Sequence, residues 1–190
     1  MHFLAPGLVA RLSSDKDGKG VFAIRPFARG ALLAVYGGII ITGVDLERLS
    51  VEERLYTLQV DDDLHQLTPL DRVGGADHIN HSCEPNAGLF GTTSLIALRA
   101  IQSGEEICFD YAMSDSNVHL DFECRCGKPK CRKFIRPDDW RRPELQRRYR
   151  TIFSPYLRRR IATEASARHL AQTPDQRSAN LHQDRGTLLD

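Results

Sequence analysis

The sequence has no long hydrophobic run. Its longest candidate, Ala31 to Ile41, spans 11 residues and contains Gly37 and Gly38, well short of the ~18 apolar residues of a membrane span. The opening Met1-His2-Phe3-Leu4-Ala5-Pro6-Gly7 has neither the basic n-region nor the long apolar h-region of a secretory signal. Cysteine is scarce and odd in number, at five. That count does not suit the even framework of a disulfide-stapled secreted domain, and with no visible signal the thiols are expected reduced. No segment repeats. Net charge is nearly absent, at +1. What remains is enough for one ordinary domain with room for an appendage: 190 residues, 41% hydrophobic and 27% charged, too apolar for a disordered chain.

The near-zero charge conceals a split. Residues 1–131 hold 12 Lys/Arg against 18 Asp/Glu, residues 132–160 hold 11 against 3, and residues 161–190 hold 3 against 4. An acidic body therefore carries a basic segment, which bears on partners rather than on fold.

Short apolar runs punctuated by glycine and polar turns predict a mostly β body. The runs are Leu8 to Leu12, Val21 to Ile24, Ala31 to Tyr36 with a possible extension over Ile39 to Thr42, Leu58 to Val60, Leu64 to Leu67, Ala87 to Phe90, Ser94 to Ala100 and Glu106 to Tyr111. Val44 to Tyr56 reads as one short helix, with Ser50 and Glu53 spaced as a capping box. After Cys131 the pattern turns helical. Pro137-Asp138-Asp139 suggests a start for a helix over Trp140 to Phe153; Pro155 breaks it, and Tyr156 to Ala171 reads as a second helix. Residues 172–190 are polar, aperiodic and expected to be a flexible tail.

Four strings could carry chemistry. Cys124, Cys126 and Cys131 form C-x-C-x4-C, and a C-x-C pair cannot adopt disulfide geometry. Three thiols within eight residues suit tetrahedral zinc, with free structural thiols as the alternative. Cys83, in a loop, is the better fourth ligand; Cys108, between Ile107 and Phe109, reads as a small buried hydrophobe. Asn80-His81-Ser82-Cys83-Glu84-Pro85-Asn86 is an aperiodic polar loop, with no G-x-S-x-G elbow to make Ser82 a nucleophile. In Gly104 to Tyr111, strand alternation puts Ile107, Phe109 and Tyr111 on one face. Gly18-Lys19-Gly20 is a short glycine loop that lacks the third glycine and helix of a dinucleotide site.

Taken in order, GKGVFA (Gly18 to Ala23), VYGG (Val35 to Gly38), NHSCEPN (Asn80 to Asn86), GEEICFDY (Gly104 to Tyr111) and CRCGKPKCRKF (Cys124 to Phe134) resemble the SET-domain protein-lysine methyltransferases with a post-SET zinc motif. The resemblance covers about residues 5–135 and looks like the small stand-alone form that bacteria carry. It implies a fold of small curved β-sheets with a pseudoknot where the NHSC and FDY segments meet. The domains expected are a SET domain over 5–113, a post-SET zinc-binding loop over 114–135 and a basic helical extension over 136–171. The implied activity is S-adenosylmethionine (AdoMet)-dependent methylation of protein lysines.

Carried over residue by residue, the resemblance implies that Gly18, Lys19, Gly20, Val21 and Phe22 hold the methionine part of AdoMet. Asn80 and His81 hold its amino and adenine parts, and Phe122 covers the adenine. Tyr111 matches the catalytic tyrosine, and Tyr36 and Phe109 the aromatics of the lysine channel. Phe at 109, rather than Tyr, implies di- or trimethylation. Cys83, Cys124, Cys126 and Cys131 imply a structural zinc. The implied partner is a lysine-bearing basic protein or peptide, histone-like or otherwise nucleic-acid-associated, with no membrane. The protein is expected in the cytoplasm if bacterial, or in a nucleus if eukaryotic or delivered to a host. Two other classes stay open: a SET-like binding or scaffold module of weak activity, and a nucleic-acid-binding protein using the basic segment, for which a solvated arginine face is the stronger reading. Asp77 and His78 stand where the family often has Arg-Phe, the segment from about 43 to 75 lacks the usual cofactor-touching aromatic, and Arg132-Lys133 replaces the post-SET Arg-Gly.

Overall fold

A computed structural model describes residues 2–13, 18–117 and 119–172. The chain divides into two compact units, residues 1–158 and 159–190. In chain order the elements are β1 (Phe3–Leu4), β2 (Leu8–Leu12), β3 (Lys19–Ala23), β4 (Leu32–Val35), β5 (Ile39–Thr42), α1 (Gly43–Arg48), α2 (Val51–Arg54), β6 (Thr57–Asp61), β7 (Leu64–Leu67), β8 (Asn80–His81), β9 (Ala87–Phe90), β10 (Ser94–Ala97), β11 (Glu106–Phe109), β12 (Phe122–Glu123), β13 (Phe134–Ile135), α3 (Pro143–Arg148) and α4 (Pro155–Gln172).

The strands form four small sheets, ordered β1-β4-β10-β9, β2-β3-β11-β8, β5-β7-β6 and β12-β13. The mostly β expectation holds, and no sheet closes on itself. In the second sheet, β11 runs antiparallel to β3, with Ile107 opposite Val21. On its other side it runs parallel to β8, with Cys108 opposite Asn80 and Phe109 opposite His81. The glycine loop and the Asn80-His81 segment are thereby set on either side of one strand. Leu33, Leu89, Leu95, Val21 and Ile107 are fully buried, and their burial drives these short strands together.

Three expectations need correction. The single helix over Val44 to Tyr56 is two helices, because two capping boxes compete for the segment. Thr42 accepts from the Asp45 amide and Ser50 from the Glu53 amide. Leu49, between them, is extended. The helix over Trp140 to Phe153 is a 3-10 turn, Asp139–Arg141, followed by α3. Arg142 precedes Pro143 and is forced extended, so the helix restarts at the proline. Pro155 is the first residue of α4 rather than a mere break.

Residues 136–158 lie within the first unit. Trp140, Tyr149, Phe153, Tyr156 and Leu157 are buried. The Tyr156 hydroxyl donates to the Ser114 carbonyl at 2.7 Å, and the Ser154 amide to the Met113 carbonyl at 2.7 Å. Of the second unit, residues 159–172 continue α4, and the side chains of 159–171 are mostly exposed. The expected tail lies outside the described residues from 173 onward. Among the described residues no helix is long and apolar enough to cross a membrane.

Candidate active site

A cavity of about 640 Å³ opens beside the end of β11 and is lined in part by Tyr36, Phe109, Tyr111, Lys19, Asn80 and Phe122. Its volume falls within the roughly 300–1,000 Å³ usual for small-molecule sites. Phe109 is 4% exposed, with its ring centroid 4.9 Å from Tyr111 and 6.5 Å from Tyr36. The grouping of Phe109 with Tyr111 does not come from strand alternation as expected. β11 ends at Phe109, Asp110 turns the chain by accepting from the Ala112 amide at 3.1 Å, and Tyr111 opens a 3-10 turn.

Tyr111 is fixed at both ends. Its amide donates to His81 Nδ1 at 3.2 Å and its hydroxyl to the Ile79 carbonyl at 3.1 Å. Burial, with smaller contributions from neighbouring groups such as Cys108 and Glu106, pushes its phenol well above the ordinary range. Burial does the same to Tyr36. Both hydroxyls therefore stay protonated near neutrality, and that of Tyr111 is an oriented dipole rather than a base. The three rings form one aromatic wall of the cavity, and aromatic faces attract cations.

The residues expected at the cofactor fall into two groups. Lys19, Asn80 and Phe122 line the cavity, whereas Gly18, Gly20, Val21, Phe22 and His81 are not in its lining. Val21 is fully buried in the core, and the Phe22 ring carries the Arg11 guanidinium at 4.2 Å. The His81 ring sits behind Tyr111 and Phe122, at 5.3 and 5.8 Å. Asn80 reaches across the sheet, donating to the Lys19 carbonyl at 3.0 Å and to Glu106 Oε1 at 2.8 Å. A Cβ on Gly20 would meet that Glu106 oxygen at 2.6 Å, the far end of a side chain that would have to shift.

The four cysteines expected as ligands converge. The Sγ atoms of Cys83, Cys124, Cys126 and Cys131 all lie within 4.8 Å of one another, and none forms a disulfide. Cys83 and Cys124 Sγ are 3.8 Å apart, the spacing of about 3.8 Å that a tetrahedron with ~2.3 Å bonds requires. The Arg132 amide points at Cys83 Sγ at 3.3 Å and the Lys133 amide at Cys131 Sγ at 3.4 Å. Such N–H···S contacts suit thiolate ligands, and the set could hold a metal ion. Cys108 lies apart, buried on β11. Lys133 takes φ +68°, a left-handed geometry that costs a non-glycine residue roughly 1–2 kcal/mol.

The sequence did not reveal the charged network behind Tyr111. Arg132 grips Asp110 bidentately at 2.6 and 2.8 Å, and its Nε donates to Asp139 at 2.8 Å. The side chains of Arg132 and Asp110 are 6% and 0% exposed. The Tyr149 hydroxyl donates to Asp110 at 3.0 Å, and Arg148 to the Cys83 carbonyl at 2.8 Å. Burial, the largest single influence, would raise the Asp110 carboxyl, but Arg132, His81 and the Ala112 amide together outweigh it and hold Asp110 below the ordinary range. The adjacency of Asp110 to Tyr111 and of Arg132 to Cys131 was the only signal available.

A SET domain model matches residues 18–112. The chain is 32% identical over 150 residues to Histone-lysine N-methyltransferase ash1 of Drosophila melanogaster, covering 70% of this chain and 6% of that protein. It is 30% identical over 132 residues to Histone-lysine N-methyltransferase 2B of Homo sapiens, covering 62% of this chain and 5% of that protein. To Histone-lysine N-methyltransferase SUV39H1 of Xenopus laevis it is 28% identical over 163 residues, covering 65% and 38% respectively. The chain thus spans only a small part of the first two relatives.

Because Asp110 and Arg132 are buried against each other, removing either charge strips the other of its shortest ion pair, leaving Arg132 with Asp139 and Asp110 with His81 at 3.6 Å. Asp110→Asn or Arg132→Met is expected to cost about 3–5 kcal/mol in urea unfolding, and the double variant to cost less than the two singles added together. The wild-type contribution is present above the unfolded carboxyl value of about 3.9 and is lost as pH falls through the depressed folded value. Acid titration of Asp110→Asn should therefore lack that loss.

Proposed function

The chain belongs to the SET domain family, and on that premise we propose that it is an AdoMet-dependent protein-lysine N-methyltransferase acting on lysines of basic proteins. The observation that carries this is the convergence of Tyr36, Phe109 and Tyr111 on a cavity that Lys19, Asn80 and Phe122 also line. The histone-lysine activity named for the relatives favours a histone-like substrate. The excess of Asp/Glu over Lys/Arg in residues 1–131 suits a basic peptide.

When bound, AdoMet supplies an electrophilic methyl group on a sulfonium. The lysine amine must be neutral to attack it, although its ordinary pKa is ~10.4. The aromatic wall docks the ammonium by its ring faces and excludes the water that stabilises the charge. The proton leaves to solvent, since neither tyrosine is a base here. The Tyr111 hydroxyl and the Ile79 carbonyl it contacts then orient the amine, and positioning does most of the work. Lys19, Asn80 and Phe122 hold the cofactor directly. Gly18, Gly20, Val21 and Phe22 shape its loop through their backbone, and His81 backs Phe122.

Cys83, Cys124, Cys126 and Cys131 hold a structural zinc that ties the loop bearing Phe122 to the segment bearing Asn80 and His81. Burial alone would raise the Cys126 thiol, but hydrogen bonds from backbone groups of Cys83 and Lys128 and from neighbouring thiols bring it to about 7. Burial instead pushes the Cys83 thiol up to about 11. Phe109 leaves room for di- and trimethyl products.

Transfer of labelled methyl from AdoMet to core histones and to a cell lysate tests this reading. Tyr111→Phe should lower the rate about 100-fold or more; equal labelling by wild type and variant would refute it. Mass spectrometry at saturation should show di- or trimethyl-lysine, and Phe109→Tyr should shift product toward monomethyl. Metal analysis should find one zinc per chain, and its chelation should weaken AdoMet binding measured by calorimetry.

A further inference from the structure

Two carboxylates line the cavity, those of Asp77 and Asp115, and they are in opposite situations. Asp77 is saturated. It accepts from the Thr68 hydroxyl at 3.0 Å and from the Gly74 amide at 2.8 Å, and it faces His2 Nε2 at 3.3 Å. Its task is to cap the turn over Gly75–His78 and to hold His2, whose other ring nitrogen accepts from the Gly37 amide at 3.1 Å. Asp115 has no such cation. Its carboxylate accepts from the Asn117 amide at 2.9 Å, two residues along its own turn. No Lys, Arg or His of the described residues forms an ion pair with it.

The cations near that end of the cavity are already committed. Arg54 donates to the Leu46 and Glu47 carbonyls at 3.2 and 2.7 Å. His119 pairs with Glu47 at 3.1 Å. Asp115 itself is tied to the catalytic turn, its amide donating to the Tyr111 carbonyl at 2.9 Å. Burial pushes its carboxyl up to about 6, against the pull of the Asn117 and Ser116 amides and of His119. A partly desolvated carboxylate without a counter-ion is a cost that an incoming cation removes.

We propose that Asp115 reads the substrate, its carboxylate pairing with a basic side chain that flanks the target lysine. This rests on the lysine-methyltransferase reading and deepens it by naming a determinant of specificity. The target ammonium itself is the poorer partner. A carboxylate paired with it would hold its proton on, and that proton must leave before transfer. The aromatic wall of Tyr36, Phe109 and Tyr111 serves the target; Asp115, four residues beyond Tyr111 on the turn it opens, serves its neighbour. An arginine suits best, because a guanidinium matches a carboxylate geometrically and is less strongly hydrated than an ammonium.

Paired peptides test this: one lysine between arginines, and the same peptide with citrulline in place of each arginine. Binding to the full chain is read by fluorescence anisotropy, and methyl transfer is read in parallel. Wild type should prefer the arginine peptide about tenfold; Asp115→Asn should bring that ratio below about two, and Asp115→Glu should keep most of it. The ratio is taken within each variant, so partial loss of folded protein cancels. The same ratio in wild type and Asp115→Asn overturns the proposal. So does an equal loss of both peptides in Asp115→Asn, which would place the target ammonium on Asp115. Loss of the preference in Asp115→Asn, with no methyl transfer by wild type to any peptide, supports the pairing while overturning the methyltransferase reading.

Discussion

The buried pair of Asp110 and Arg132 is the constraint on which the site depends. A carboxylate with no exposure costs several kcal/mol to desolvate unless a cation meets it with good geometry. Arg132 does so bidentately, and Asp139 and Tyr149 fill the remaining valences. Three parts of the chain meet there: the end of β11, the cysteine loop and the segment after it. Asp110 also accepts from the Ala112 amide, which sets the turn that presents Tyr111. The orientation of the aromatic wall and the closure of the cysteine loop are thus two faces of one electrostatic bargain.

Much of the site could be read from residue types at fixed spacing. The four cysteines, Tyr111 and Phe109 lie in short motifs whose chemistry is local, so the resemblance carried them. What stayed hidden depends on contacts far apart in sequence. No periodicity marks β8, a two-residue strand, as the parallel neighbour of β11. Alternation predicted the grouping of Phe109 with Tyr111, although a 3-10 turn produces it. The helix after Val44 split because Ser50 offered a second cap, a competition that counting apolar positions does not register. Asp115 looked like one acid among many, since its lack of a counter-ion is a property of packing alone.

The charge split also changes meaning. The basic stretch after Cys131 read as an appendage with a solvated arginine face. Within the first unit several of its arginines are already spoken for: Arg132 by Asp110 and Asp139, Arg142 by Glu144, and Arg148 by the Cys83 carbonyl. Of these, Arg132 answers a carboxylate of the acidic body, Asp110, whereas Arg142 pairs within the basic stretch and Arg148 holds a backbone carbonyl. Among the described residues Asp115 lines the cavity with no Lys, Arg or His in an ion pair with it.

The reach of these contacts constrains how the protein is made. Cys83 meets Cys124 across 41 residues, and Asp110 meets Tyr149 across 39. Such pairings demand loop closure before they return any energy, so folding is slowed. A ribosome that has delivered the chain up to Tyr111 has delivered every aromatic of the wall, with His81 and Ile79 to meet Tyr111, but not the Arg132 that meets Asp110. Until Arg132 emerges, a nascent chain carries an acid without that arginine and an incomplete set of thiols, and the order of synthesis places this support after Tyr111.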